Sequence, residues 1–142
     1  MQQKTLENRA YMTERTDKEK TWTTEDGLLA VHRALVDGVW RTEHGYSITH
    51  VRSGVVLSRC RSRDEAKWVA AMLVSFCNLD AFETFDDYQA YPLDLRLEIL
   101  MLIKSLKNAA MYPSYGRRAE FSRIQLPLAA LASTEDENPS GS

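Results

Sequence analysis

GYSITHVRSGVVLSRCRSRDEAKWVAAML, residues 45–73, decides the fold, because it reverses the chain once and then passes from β-rich to helical sequence. Two runs rich in β-branched residues, YSITHV and VVLSRC, flank a short connection ending in Gly54. That is hairpin chemistry: a type I turn over Arg52 and Ser53, with Gly54 in the left-handed bulge position. Val51 then faces Val55, and the pairing runs back to Tyr46 opposite Cys60. One sheet face would hold Tyr46, Ile48, His50, Val56, Ser58 and Cys60, and this is the expected core face. The other would hold Ser47, Thr49, Val51, Val55, Leu57 and Arg59. A slip of one residue would exchange the two sets.

Ser62 followed by Glu65 is a capping box, which satisfies two orphan backbone donors at the start of a helix. The spacing predicts a helix from Arg63 to about Cys77. Ala66, Val69, Ala70, Leu73, Phe76 and Cys77 form one apolar stripe, and Trp68, Met72 and Leu79 a second, so the helix is expected to pack against two layers.

Upstream, VW and the turn-like TEHG extend the hairpin to a three-stranded meander. Before it, Thr23 reads as an N-cap with Glu25 and Asp26 in the first turn. Leu28, Val31, His32 and Leu35 recur at helical spacing and Gly38 stands where a helix would stop, which predicts a first helix over 24–37. Downstream, LDLRLEILMLIKSLKNAAM reads as a long helix, acidic near its start and basic near its end. YPSYGRRAEFSRIQ then reads as an extended return.

The fold expected is α+β: a small antiparallel β-meander packed by a central helix and a long C-terminal helix, with an N-terminal helix. Residues 1–21 are expected to be a flexible polar arm, 22–132 a single domain and 133–142 a disordered acidic tail. With 142 residues, 44% of them hydrophobic, the chain can build one core without disulfides or metal. Cys60 and Cys77 are too few for a secreted framework, and the first twenty residues lack an apolar signal-peptide run. A cytoplasmic protein with no membrane contact is expected.

The net charge of -2 gives no general attraction to nucleic acid, so function has to come from local patches. Residues 41–67 hold Arg41, Arg52, Arg59, Arg61, Arg63 and Lys67 against three acids, a local charge of +3. A two-stranded ribbon with outward arginines fits a DNA major groove, although Asp64 and Glu65 at the helix start would repel a phosphate. Solvation of an exposed sheet face explains the same arginines more simply. Residues 80–98 carry six acids against Arg96 alone, and Phe82, Phe85, Tyr88 and Tyr91 recur every third position. Such a segment suits a basic groove on another protein, with Asp86, Asp87, Tyr88 and Tyr91 as the expected contacts and Phe82 and Phe85 expected in the core. A third cluster, Arg117, Arg118 and Arg123 with Tyr112 and Tyr115, lies in the return segment.

No nucleophile elbow, phosphate loop or paired metal-spaced cysteines occur, and His32, His44 and His50 each have a structural explanation. Neither catalysis nor a cofactor or metal is expected. The residues favour a non-enzymatic protein-binding module, an inhibitor or adaptor of the kind carried by mobile genetic elements, with charges sorted by sign onto separate surfaces. The alternative is a nucleic-acid-binding module using Arg52, Arg59, Arg61, Arg63, Lys67, Arg117 and Arg118. The apolar breadth of the long helix also admits a homodimer.

Overall fold

Thr24-Glu25-Asp26-Gly27 turns the chain between two strands. The Thr24 hydroxyl donates to Asp26 at 2.6 Å, Asp26 accepts the Leu28 N–H, and the Leu29 N–H donates back to Thr24 Oγ1. Gly27, at φ 74°, takes the left-handed conformation that closes the turn. The computed structural model, which describes residues 2–7, 18–36, 39–112 and 120–129, therefore departs from the expected helix over 24–37. Residues 24–36 form this turn and then a strand.

The strands are β1 (Gln2–Glu7), β2 (Lys18–Thr23), β3 (Leu29–Val36), β4 (Val39–His50) and β5 (Val56–Cys60), paired in that order as an antiparallel sheet. β1 and the first four residues of β2 lie within the stretch read as a polar arm, and 8–17 lies outside the described residues, as does the tail 133–142. The physical reason for the helix misreading is burial on both sheet faces. Leu29 and Val31 enter the core beneath the helices, while Ala30, His32 and Ala34 are buried on the opposite face. A strand covered on both sides loses its alternation and reads as a continuous apolar run.

Thr21, Thr23, Ser47 and Thr49 are buried with His32, so this second face is small and polar. His32 Nδ1 donates to the Arg33 carbonyl at 2.8 Å, and Nε2 hydrogen-bonds with the Thr49 hydroxyl, also at 2.8 Å.

The β4–β5 hairpin keeps the expected register at its far end, where Tyr46, Ser47 and Ile48 face Cys60, Arg59 and Ser58. Gly54 is left-handed at φ 75°, as expected. Nearer the turn the ladder slips and Thr49 faces Val56. His50, rather than Val51, meets Val55: the His50 N–H donates to the Val55 carbonyl and Gly54 to the His50 carbonyl, while Val51 donates across to Leu28. The slip exchanges three side chains between faces, leaving Val56 43% exposed and Val55 and Leu57 in the core.

Helix α1 (Arg63–Phe76) starts where expected, with Ser62 Oγ accepting the Glu65 N–H at 3.1 Å. The reciprocal arm differs: Glu65 accepts from the Arg61 backbone N–H and guanidinium instead of from Ser62. Ala66, Val69, Ala70 and Leu73 are buried against β3, β4 and β5 and against α3 (Leu93–Met111). Of the second stripe Leu79 is buried, Met72 half-buried and Trp68 exposed, so α1 does not bury a second full face.

A one-turn 3-10 helix (Leu79–Ala81) and α2 (Phe85–Ala90) join α1 to α3. The return segment is clamped to the end of α1. Asn78 exchanges two hydrogen bonds with the Leu126 backbone, at 2.6 and 3.0 Å, and Ile124 N–H donates to the Phe76 carbonyl.

Between Arg33 and Ala34 the β3–β4 ladder jumps, so residues 42–45 bulge from β4. Gly45 ends the bulge at φ 88°, with its Cα so close to β5 that a Cβ would collide with the Cys60 carbonyl oxygen. Gly45→Ala is expected to destabilise the protein by about 2–4 kcal/mol, combining left-handed strain with displaced backbone. Gly27→Ala, whose Cβ would meet no atom within 4 Å, should cost only the strain, about 1–2 kcal/mol. Urea unfolding midpoints of the two variants check this order, and equal losses would contradict it.

Candidate functional site

The acidic and aromatic segment folds around a capping box of its own. Thr84 Oγ1 accepts the Asp87 N–H at 3.0 Å, and the Asp87 carboxylate accepts the Thr84 and Glu83 N–H groups at 3.2 and 3.1 Å. This fixes α2 and sorts the four aromatics. Phe82 is fully buried, stacked on His50 with centroids 4.1 Å apart and flanked by Tyr88 and Tyr91. Tyr91 is 2% exposed and its hydroxyl donates to the Pro127 carbonyl at 2.6 Å, with the Ala81 carbonyl 3.3 Å away. Burial pushes its phenol up to about 12. Tyr88 is 9% exposed, with its phenol likewise raised by burial.

Phe85, expected in the core, is instead 51% exposed. Of the expected contacts, Asp86 is exposed, Asp87 is committed to the cap, and the two tyrosine rings belong to the core. The every-third-residue spacing of the four aromatics does not separate inward from outward rings, because the 3-10 turn and the new helix start at Thr84 interrupt it. Thr84 and Asp87, a capping pair in TFDD, carried the signal.

The basic ribbon is interleaved with acids. Arg41 pairs with Glu43 at 3.1 Å, Arg61 with Glu65 at 2.9 Å and Arg63 approaches Asp64 at 3.9 Å. Arg52 reaches Glu83 of the acidic segment at 3.6 Å, so the expected sorting of charge by sign does not hold at these pairs. Arg63 and Lys67 also sit over the Trp22 ring, 4.9 and 5.7 Å from its centroid, tying the start of α1 to β2. Arg59 and Arg123 are exposed. Arg117 and Arg118 lie outside the described residues.

His50 is fully buried between the hairpin turn and the 3-10 helix. Its Nε2 lies 2.7 Å from the Leu79 carbonyl, which can only accept, so Nε2 carries the proton. Nδ1 then accepts from the Ser53 hydroxyl at 2.7 Å, while Ser53 Oγ accepts the Val55 N–H. Both ring nitrogens are occupied in holding the hairpin turn to the 3-10 helix. Burial holds the Cys60 and Cys77 thiols at about 11 and about 12, so both stay protonated at neutral pH. Among the described residues no group of three His, Cys, Asp or Glu side chains could hold a metal ion, and no helix is long and apolar enough to cross a membrane.

Comparisons with protein-family models, curated proteins and solved structures found no match for this chain.

Desolvation lowers the His50 pKa below its usual 6.5, so the native state binds fewer protons than the unfolded chain as pH falls past that value. The His50 contribution is therefore complete above about pH 7.5 and declines through 6.5 toward the native pKa. Urea unfolding at pH 7.5, 6.5 and 5.5 should show stability falling with pH, and the fall should be smaller in His50→Gln. Equal slopes in the two proteins would contradict this.

Proposed function

We propose that this protein is a non-enzymatic module that binds another protein, as an inhibitor or adaptor, through the edge formed by residues 80–86. The observation that carries this reading is Phe85: a half-exposed phenylalanine presented outward at the start of a capped helix, while neighbouring Phe82, Tyr88 and Tyr91 are locked in the core. A rigid aromatic loses little conformational freedom on docking and supplies the apolar anchor that interfaces favour. Asp80, Glu83 and Asp86 are exposed around it, which selects a partner surface carrying lysine or arginine beside an apolar pocket. The pairing of Arg52 with Glu83 positions one of these carboxylates without burying it.

Nucleic-acid binding through the arginine ribbon has weaker support, because Arg52, Arg61 and Arg63 already have acidic neighbours within the fold. Releasing them would offset the gain from phosphate contacts.

Affinity capture from the cells that make the protein, with the full chain as bait, tests the proposal. Phe85→Ala with Asp86→Lys should lose a protein that the unaltered chain retains, weakening its binding by about 2 kcal/mol or more, with the far-ultraviolet spectrum unchanged. Identical captured sets, or a retained species that is nucleic acid and is lost with Arg59→Ala and Arg61→Ala, would overturn it.

A further inference from the structure

Helix α3 turns one face to the core through Ile99, Leu102, Ile103, Leu106 and Ala109. Its opposite face is also apolar: Leu93, Leu97, Leu100, Met101 and Met111 are exposed, Leu93 by 62% and Met101 by 68%. These residues recur at helical spacing and make one stripe along a helix of 19 residues, about 28 Å at 1.5 Å per residue. A stripe of this kind on a folded domain marks an interaction surface.

The charges within the same exposed arc identify what covers it. Asp94 and Glu98 lie in the N-terminal half and Lys104 in the C-terminal half. Glu98 and Lys104 stand three residues either side of Met101, and Asp94 and Asn108 seven residues either side. We infer that α3 pairs with α3 of a second copy of this chain, antiparallel, about a two-fold axis that passes near Met101.

In that arrangement each copy's Glu98 lies level with the other's Lys104, and each Asp94 level with the other's Asn108. Leu93 comes close to the level of Met111, so the ends of the stripe cover one another. The helix dipoles oppose favourably. A parallel pair would instead set Lys104 against Lys104 in the seam, which like-charge repulsion disfavours. One lysine within an apolar seam weakens the pairing but fixes its register and direction. The interface is isologous and closes at the dimer. It involves none of the residues of the Phe85 edge, so it stands or falls separately from the binding proposed there.

Sedimentation of the full chain over a concentration series reads the association directly, with mass rising from 16.2 kDa toward twice that value. Leu97→Glu with Met101→Glu, both exposed and therefore compatible with folding, should raise the dissociation constant at least about tenfold. Glu98→Lys and Lys104→Glu should each weaken association, and the two together should restore it, because the swap re-forms both intermolecular pairs. A chain that stays monomeric throughout, association indifferent to Leu97→Glu with Met101→Glu, or a charge swap that fails to restore pairing would overturn the inference. Stoichiometric capture of a different protein on this face, with no self-association, would overturn it equally.

Discussion

His50 sits where the sheet meets the helical layer, and the placement of the other parts depends on it. One nitrogen binds the carbonyl of Leu79, the other receives the Ser53 hydroxyl, and the ring lies on Phe82. The hairpin turn at 50–55, the 3-10 helix and the aromatic cluster beneath α2 are thereby joined through one neutral side chain. Truncating it would leave the Leu79 carbonyl without its partner and open a void against Phe82, a loss of about 2–4 kcal/mol. Phe85 is turned outward because Phe82, Tyr88 and Tyr91 are held inward around this point.

What was legible in the sequence was mostly local. Ser62 and Glu65 announced α1, Gly54 announced the hairpin, and the long leucine-rich run announced α3, because each signal rests on backbone chemistry within a few residues. β3 was hidden because its information is tertiary. Leu29 and Val31 face one layer while Ala30 and His32 are buried on the other side, so apolar spacing could be fitted to a helix. Asp26-Gly27 is the local clue that favours a hairpin, but Glu25 and Asp26 after Thr23 suit a helix cap equally well. The slip between Ile48 and Thr49 carries no glycine or proline at its own position to mark it in the sequence.

The candidate site shows the same division. The segment 80–91 is acidic and aromatic in composition, yet which aromatic faces outward follows from where α2 begins, and Thr84 sets that. The arginine ribbon is half sheet and half helix start, and its neighbours at Glu43, Glu65 and Glu83 are set partly by sequence distance and partly by folding. Arg52 and Glu83 are distant in sequence and paired in space, so a count of charges by segment could not anticipate their cancellation. Two apolar features stay exposed beside these pairs: Phe85 at one edge and the outer stripe of α3 at another.

The state of the His50 ring tests this account most directly. Nitrogen-15 spectra of the imidazole at pH 7.5 should show the Nε2-protonated neutral tautomer alone, with a slowly exchanging Nε2 proton and a scalar coupling across the hydrogen bond to the Leu79 carbonyl. Tautomers in rapid exchange, a proton resident on Nδ1, or a ring already cationic at that pH would mean that the sheet and the helices are joined in some other way.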